Sequence, residues 1–567
     1  LTKSIFHSPA VNDEWLFNYT GIPVNHDGVV IFMVLMNCTA THFPYRQTGY
    51  FSKIILDYLD ESESLQQYYQ HPVSMDGIKS AIQLRQSFSN DRKMLVEVLN
   101  DQYGRVDSNA AVNENINKLL NENCFTVTTA HQPAIFTGSL YFIYKIIHAI
   151  KLAANLSREL PQYHFVPIFY MGSEDADLDE LGKIYLDREV VVWKTEQTGA
   201  VGRMNTKGLE KIIDRIEGEF GGLPFGSSLI ETLKKAYGPG NDIQTATFKL
   251  LHELFSEYGL VILIPDESRL KRPMAKVFAD DLFEQKPSSI LEKTIQGLSM
   301  NYKVQANPRD INLFYLKDDL RERIIQTENR SYKVHGTDIM FSEGEMKAEL
   351  ENYPERFSPN VILRGLYQET ILPNIAFIGG SGETAYWLEF KELFAYYQVP
   401  FPVLLLRNSF LISEKKWNEK LEKMDFSEMD IFKPEENLME ELVKRESHHQ
   451  LKLEEEMMDV ENFYKKLKNR SLDIDTSLAQ HVEALSAKAI RPLKELEKKI
   501  LKAEKRRFED QRRQIQAIKS ALFPLDGLQE RIGNFLPYYA QWGKLFFKAL
   551  YQHSLTLEQQ FTLLKEI

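Results

Sequence analysis

The segment that most constrains this chain runs from Phe125 to Leu152, FTVTTAHQPAIFTGSLYFIYKIIHAIKL. A β-branched run ends at His131-Gln132, and a helical pattern opens at Gly138-Ser139. A strand that passes through a polar turn into a helix is the building unit of open α/β sheets. It sets polar side chains and free helix N–H groups at the carboxyl end of the strand, where such sheets bind nucleotides and other anions. The segment therefore predicts a site as well as a fold.

The same pattern recurs. From Asn113 to Arg407, short runs rich in Val, Ile, Phe and Tyr alternate with amphipathic stretches, as a parallel sheet flanked by helices requires. Strands are predicted at Cys124–Thr129, Phe165–Tyr170, Leu260–Pro265, Ile375–Ile378 and Val403–Leu406. Each ends at a polar or glycine-bearing loop, so one edge of the sheet should form a composite cleft. The interval from Arg272 to Pro373 is too long for one crossover and predicts an inserted subdomain. The predicted divisions are a mainly helical segment over 1–112 with an odd strand at Val29–Leu35, the α/β core over 113–412, an α-helical coiled coil over 413–523, and a segment over 524–567 that returns to the core.

The coiled coil follows from periodicity. Glycine almost vanishes after Ile412, and Leu438, Leu442, His449, Leu453, Met457, Val460, Tyr464 and Leu467 recur at three- and four-residue steps, the seam of one long helix. A second seam runs from Val482 to Ile500 and resumes at Phe508 after a phase shift; Pro492 should kink or restart it. A turn over Asn469–Thr476 makes the pair an antiparallel hairpin, whose apolar stripe favours a homodimer. Residues 491–519 carry eleven Lys or Arg against five Asp or Glu, read first as a solvated helix face and second as a phosphate- or RNA-contacting surface.

Composition narrows the partners. With 80 acidic and 68 basic side chains the net charge is -12, against a nucleic-acid partner for the chain as a whole. Cys38 and Cys124 are too few for a disulfide framework, which fits the cytoplasm. The longest apolar run, Val29 to Met36, is far short of a membrane span, and no signal-peptide order is seen before it. The first residue is Leu1, so the natural start is left open.

Each loop has a chemical reading and a plainer alternative. His131 and Gln132 could hold phosphate oxygens or a developing oxyanion; alternatively His131 is a turn histidine bonded to backbone. Gly138 would open the helix toward an anion, and Lys145 would reach back to it or snorkel to the surface. Glu174, Asp175, Asp177, Asp179 and Glu180, in MGSEDADLDE, could bind a substrate ammonium, orient an amine, or hold Mg²⁺ through waters; helix-start capping is the alternative. Gly379, Gly380 and Gly382 would let the backbone approach a ligand with Glu383 beside it, or simply make a tight connection. Tyr386 and Trp387 could stack on a base or fill the core. Arg407, with Ser409, is the natural partner of a carboxylate or phosphate. No fixed metal site is read.

The motifs TTAHQPAIFTGSLYFIYKIIHAIKLA, VPIFYMGSEDADLDE, GAVGRM, ILPNIAFIGGSGETAYWLEFKELF, VPFPVLLLRNSF and FPLDGLQERIGNFLPYYAQWG, in this order over most of the chain, resemble the BshC family, the cysteine-adding enzymes of bacillithiol biosynthesis. Two motifs depart from the family pattern. TGQQPG is replaced by Thr129-Ala130-His131-Gln132-Pro133-Ala134, and EDHD by Glu174-Asp175-Ala176-Asp177. The resemblance implies a Rossmann-like nucleotidyltransferase core similar to class I aminoacyl-tRNA synthetases, with inserted connecting segments and a dimer-forming coiled coil. It also implies a ligase that adds cysteine to glucosaminyl-malate.

Amide formation from a free carboxylate is uphill in water, so ATP is the expected activator, with Mg²⁺ as its companion. On this reading His131, Gln132 and Lys145 neutralise phosphates, and Asp175 or Asp177 positions the amine. Glu383 and the glycine loop hold nucleotide or sugar, and Arg407 takes a carboxylate. The rival readings are a class I-like transferase acting on another amine or on RNA, and a non-catalytic coiled-coil scaffold.

Overall fold

The computed structural model describes residues 37–186 and 188–566; the odd strand expected at Val29–Leu35 lies outside them. Its centre is a sheet of β1 (Cys124–His131), β2 (His164–Met171), β3 (Val261–Leu263), β4 (Asn374–Gly379) and β5 (Val403–Leu406). The order is β5-β4-β1-β2-β3 and every neighbouring pair is parallel. These strands are buried along nearly their whole length, which is why their sequences read as continuous apolar runs rather than alternating ones. The chain order reverses between β1 and β4, which makes that gap the switch point at the carboxyl edge.

The crossover helix α1 (Tyr141–Glu159) packs Ala149, Leu152 and Leu156 against Phe125 and Val127 of β1, Ile375 and Ile378 of β4, and Val403 and Leu405 of β5. Each large side chain fully buried there contributes roughly 1.5–3 kcal/mol. Three threonines break the apolar run of β1, and all are satisfied: the Thr126 and Thr128 hydroxyls donate to Asn374 Oδ1 at 3.1 and 2.8 Å, and that of Thr129 to Ile378 O at 2.9 Å. The free edge of β3 is closed by a side chain acting as a strand, since Gln102 donates to Ile264 O and accepts from Ile264 N at 2.8 and 3.0 Å.

Between β3 and β4 the chain makes helices Ala275–Glu284 and Lys286–Ser299 and an antiparallel five-stranded sheet, from Leu313–Lys317 to Phe357–Pro359. Helix α2 (Val361–Ile371) leads back to β4, and the short α3 (Ser381–Trp387) leaves it. The last strand, Phe561–Glu566, lies parallel to Ser409–Ser413 and antiparallel to Cys38–Phe43, returning the end of the chain to the core.

The C-terminal helices are α4 (Glu435–Glu446), α5 (Glu454–Leu472), α6 (Leu478–Lys505) and α7 (Glu509–Leu522). Ion pairing of Lys468 with Glu483 and the Leu453 N–H on Glu497 show that α5 and α6 run antiparallel. Two expectations are corrected. The first seam is not one helix: the chain leaves helical geometry after Glu446, where Ser447 Oγ and His449 Nδ1 meet Glu504 of α6 at 3.0 and 3.1 Å. Contacts to the α6 carboxylates replace helical continuation there. Pro492 does not restart α6, which stays helical through it with both Pro492 and Lys488 exposed. The interruption falls instead at a 3-10 turn, Arg506–Phe508, where the seam changes phase.

Candidate active site

A cavity of about 410 Å³ opens at the carboxyl edge of the sheet. All five post-strand loops reach it: His131-Gln132 after β1, Gly172–Asp175 after β2, Pro265 after β3, Gly380–Glu383 after β4 and Arg407 after β5. Its roof comes from the inserted subdomain through Gln305, Arg321 and Asn360, and from Arg364 and Tyr386 on α2 and α3. Arg531 of the C-terminal segment closes one side.

At β1 the plainer alternative for histidine holds. His131 Nδ1 lies 2.9 Å from Gln132 O and Nε2 lies 3.1 Å from the Tyr141 hydroxyl. A carbonyl only accepts, so Nδ1 carries the proton and Nε2 accepts from Tyr141. Burial, then the charge of Lys145, pushes His131 down to about 4, so the ring is neutral near pH 7. Its one N–H is spent on backbone and has nothing left for a phosphate. Gln132 turns the other way, its Nε2 donating to Asp175 Oδ2 at 3.0 Å and linking the β1 and β2 loops.

The start of α1 is not open to an anion either. Gly138 lies outside the cavity lining, with its carbonyl on Asn534 Nδ2 at 2.5 Å, and the Leu140 N–H is taken by Gly533 O at 2.7 Å. Phe136 and Thr137 are held at φ +48 and +66 in this turn, a conformation that L side chains rarely adopt. Lys145 lies beneath the cavity floor, donating to Ala130 O at 2.9 Å and ion-paired with Glu383. It is almost wholly buried and does not reach a ligand; its role is to hold Glu383. Burial would raise the Glu383 carboxyl, but Lys145 and Arg364 hold it below the usual range. The Glu383 carboxylate also accepts from Gly380 N–H at 2.8 Å, closing the glycine turn.

The acidic loop after β2 divides its work. Glu174 is ion-paired with the fully buried Lys271, which also donates to Glu355 O at 3.0 Å. Asp175 stands between Gln132 and Arg321, whose guanidinium is 3.9 Å away. Asp177 does not line the cavity; its Oδ1 caps the following turn by accepting from Glu180 N–H at 2.9 Å. The GAVGRM segment braces this loop from behind, with Gly202 N–H on Ser173 O and Val201 N–H on Asp175 O at 3.1 and 2.7 Å. Arg203 holds Asp266 through two bonds of 2.7 and 2.8 Å.

Gly380 and Gly382 line the cavity, whereas Gly379 serves packing: a Cβ there would stand 2.9 Å from the Phe377 ring. Trp387 is buried and stacked on Phe377 at 4.5 Å between centroids, so it belongs to the core. Tyr386 does line the site, its hydroxyl accepting from Arg364 at 2.6 Å. Arg407 lines it too, but both terminal nitrogens are fixed on Glu530. Ser409 lies behind them, donating to Glu530 at 3.2 Å.

Arg407 is 3% exposed, and its Nε has no hydrogen-bond partner among the described residues. The buried Ser173 hydroxyl and that of Ser381, both on the cavity wall, are also unpartnered. Buried donors without partners on a cavity wall are the signature of a site completed by a ligand. Four guanidinium groups (Arg321, Arg364, Arg407, Arg531) face Glu174, Asp175, Glu180 and Glu383 across this space, so it suits a substrate with anionic and cationic ends. Arg321, Arg364, Arg531 and Tyr141 carry no role in the sequence reading, whereas Glu180 belongs to the acidic group read there. Arg531 lies in the motif QERIGN, but Arg321 and Arg364 carry no local signal.

The family model described as "Bacillithiol biosynthesis BshC, N-terminal Rossmann-like domain" matches residues 36–408, and its "C-terminal coiled-coil domain" counterpart matches 410–566. The chain belongs to the BshC family. Curated relatives named "Putative cysteine ligase BshC" include those of Flavobacterium johnsoniae, 38% identical over 92% of this chain and 98% of the relative, and Flavobacterium psychrophilum, 37% identical over the same shares. That of Cytophaga hutchinsonii is 38% identical over 85% of this chain and 90% of its own. A solved Campylobacter jejuni structure described as a "putative arginyl t-RNA synthetase" overlaps 76% of this chain and 92% of its own at 9% identity, but its TM-score of 0.24 carries no argument. In this BshC chain the family boundary falls between Arg407 and Glu530, so the buried ion pair at the cavity joins the two family domains.

Proposed function

We propose that this chain forms an amide between the carboxyl group of L-cysteine and the amine of glucosaminyl-malate, consuming ATP, as the last step of bacillithiol biosynthesis in the cytoplasm. Family membership and the names of the curated relatives support a cysteine ligase. The observation that carries the reaction is the cavity itself, where unpartnered buried donors and a set of carboxylates face each other at the sheet's switch point. An activated carboxyl carries phosphate that the guanidinium groups and the Ser173 and Ser381 hydroxyls can neutralise. The carboxylates on the opposite wall attract the ammonium of the acceptor and orient its nitrogen. Exposed Met458, Phe463 and Leu485 on the coiled coil supply a face for a homodimer.

The test has two parts. Deleting the gene from its native host should abolish bacillithiol and accumulate glucosaminyl-malate. The purified chain should then form the thiol product only when cysteine, glucosaminyl-malate and ATP are all present. Undiminished product without any nucleotide would remove the ATP step.

A further inference from the structure

The carboxylates of the loop after β2 are not equivalent, and the difference singles out one of them. Glu174 is neutralised by buried Lys271, Asp175 is held by Gln132 and faces Arg321, and Asp177 is a turn cap. Asp179 and Glu180 are both exposed, but Asp179 does not line the cavity. Glu180 lines the cavity, and among the described residues no hydrogen bond or ion pair engages its carboxylate. The same cavity is lined by Arg407 and Ser173, whose Nε and Oγ have no hydrogen-bond partner among the described residues. An uncommitted carboxylate at the mouth of such a cavity is free to accept a proton, which the committed ones are not.

Building on the amide-forming reading, we infer that Glu180 is the general base that takes the proton from the acceptor's ammonium group. The ammonium nitrogen gives one proton to the Glu180 carboxylate, and the freed lone pair forms the N–C bond to the acyl carbon of the phosphate-activated cysteine. The bond from that carbon to the phosphate oxygen breaks, and its electron pair leaves on the oxygen, which takes the second nitrogen-bound proton. A nucleoside triphosphate supplies the activating phosphate. The charged and titratable groups facing Glu180 are Asp175 and Asp177 on its own loop, Lys183 on the strand that follows, and Tyr141 at the start of α1. Partial burial, then the like charges of Asp177 and Asp175, holds the Glu180 carboxyl above its ordinary value, which makes it a better proton acceptor than a free carboxylate.

The experiment compares the full-length wild type with Glu180→Gln, Glu180→Ala and Asp179→Asn. Amide product is measured from cysteine, glucosaminyl-malate and ATP across pH. Glu180→Gln should lower kcat about a hundredfold or more, the range of a lost general base, while KM changes only a few-fold. Its log kcat should climb steadily with pH as the free amine fraction grows, whereas the wild type reaches a plateau above the Glu180 titration. Added formate should partly restore Glu180→Ala, and Asp179→Asn should match the wild type. A Glu180→Gln enzyme with near-normal kcat and the wild-type pH profile overturns the assignment and leaves the amide-forming reading standing. A fall in kcat with the wild-type pH profile and no formate rescue also overturns it, since that pattern belongs to a structural role. Wild type that makes no amide from these substrates overturns the reading on which it rests.

Discussion

Glu530 holds both terminal nitrogens of Arg407, at 2.8 and 2.9 Å, with side-chain exposures of 1% and 3%. The pair lies 123 residues apart in sequence and fixes the guanidinium so that only Nε is left for the cavity. Replacing Glu530 by Gln leaves a buried cation without its counter-charge, a change that costs roughly 3–5 kcal/mol. A urea unfolding curve should show that loss. The double variant Arg407→Met with Glu530→Met should recover most of the stability, because well-packed apolar pairs often replace buried ion pairs without loss. Activity should stay low in both, which separates the fold from the site.

The second buried pair, Lys145 with Glu383, lies under the floor. Lys145→Met leaves Glu383 with Arg364 and the Gly380 N–H, so its carboxyl should rise toward the ordinary range and the glycine turn should loosen. The expected result is at least a tenfold loss in kcat/KM. Glu383→Gln should lose more stability than Lys145→Met, because it strands the buried Lys145 cation, whereas Glu383 without Lys145 keeps Arg364 and the Gly380 N–H. Thermal unfolding of the two variants side by side tests that order.

These pairs also explain what sequence could and could not reveal. The five core strands were legible because strands buried on both faces give unbroken apolar runs, and the polar loops after them therefore mapped to one edge. The fate of each polar side chain was not legible. Whether Lys145 meets a phosphate or Glu383 depends on a residue 238 positions away. Arg321 and Arg364 reach the cavity from the inserted subdomain and the helix that follows it, whose sequence carries no periodic or motif signal. The long-helix reading of the first seam failed for a related reason, since Glu504 of another helix draws Ser447 and His449 out of helical geometry.

Glu389 gives a pH prediction. It is buried and accepts from the N–H groups of Gln305 and Ala306 at 2.8 and 3.2 Å, tethering a roof segment that lines the cavity. Burial pushes its carboxyl up to about 7, with the two backbone donors acting in the other direction. A carboxyl whose folded value is raised binds its proton more tightly in the native state between its ordinary value and 7. It therefore stabilises the fold most at low pH and loses that contribution as pH rises through 7. Glu389→Gln keeps an acceptor for both N–H groups but cannot titrate. Its stability should fall less steeply between pH 5 and 8 than that of the wild type, measured by urea midpoints across that range.

Gly202 shows how the acidic loop is braced. A Cβ at this position would stand 2.3 Å from the carbonyl oxygen of Ser173, a backbone atom that cannot step aside without moving the loop that carries Glu174 and Asp175. Gly202→Ala should therefore reduce kcat/KM by tenfold or more, with a modest drop in Tm. Gly218, in the helix Glu210–Phe220, is the control: a Cβ there meets nothing within 4 Å. Gly218→Ala should raise stability by roughly 0.5–1 kcal/mol, because alanine orders a helix more cheaply than glycine, and should leave activity unchanged. If Gly202→Ala retains full activity, the second-strand loop does not need that brace to present its carboxylates.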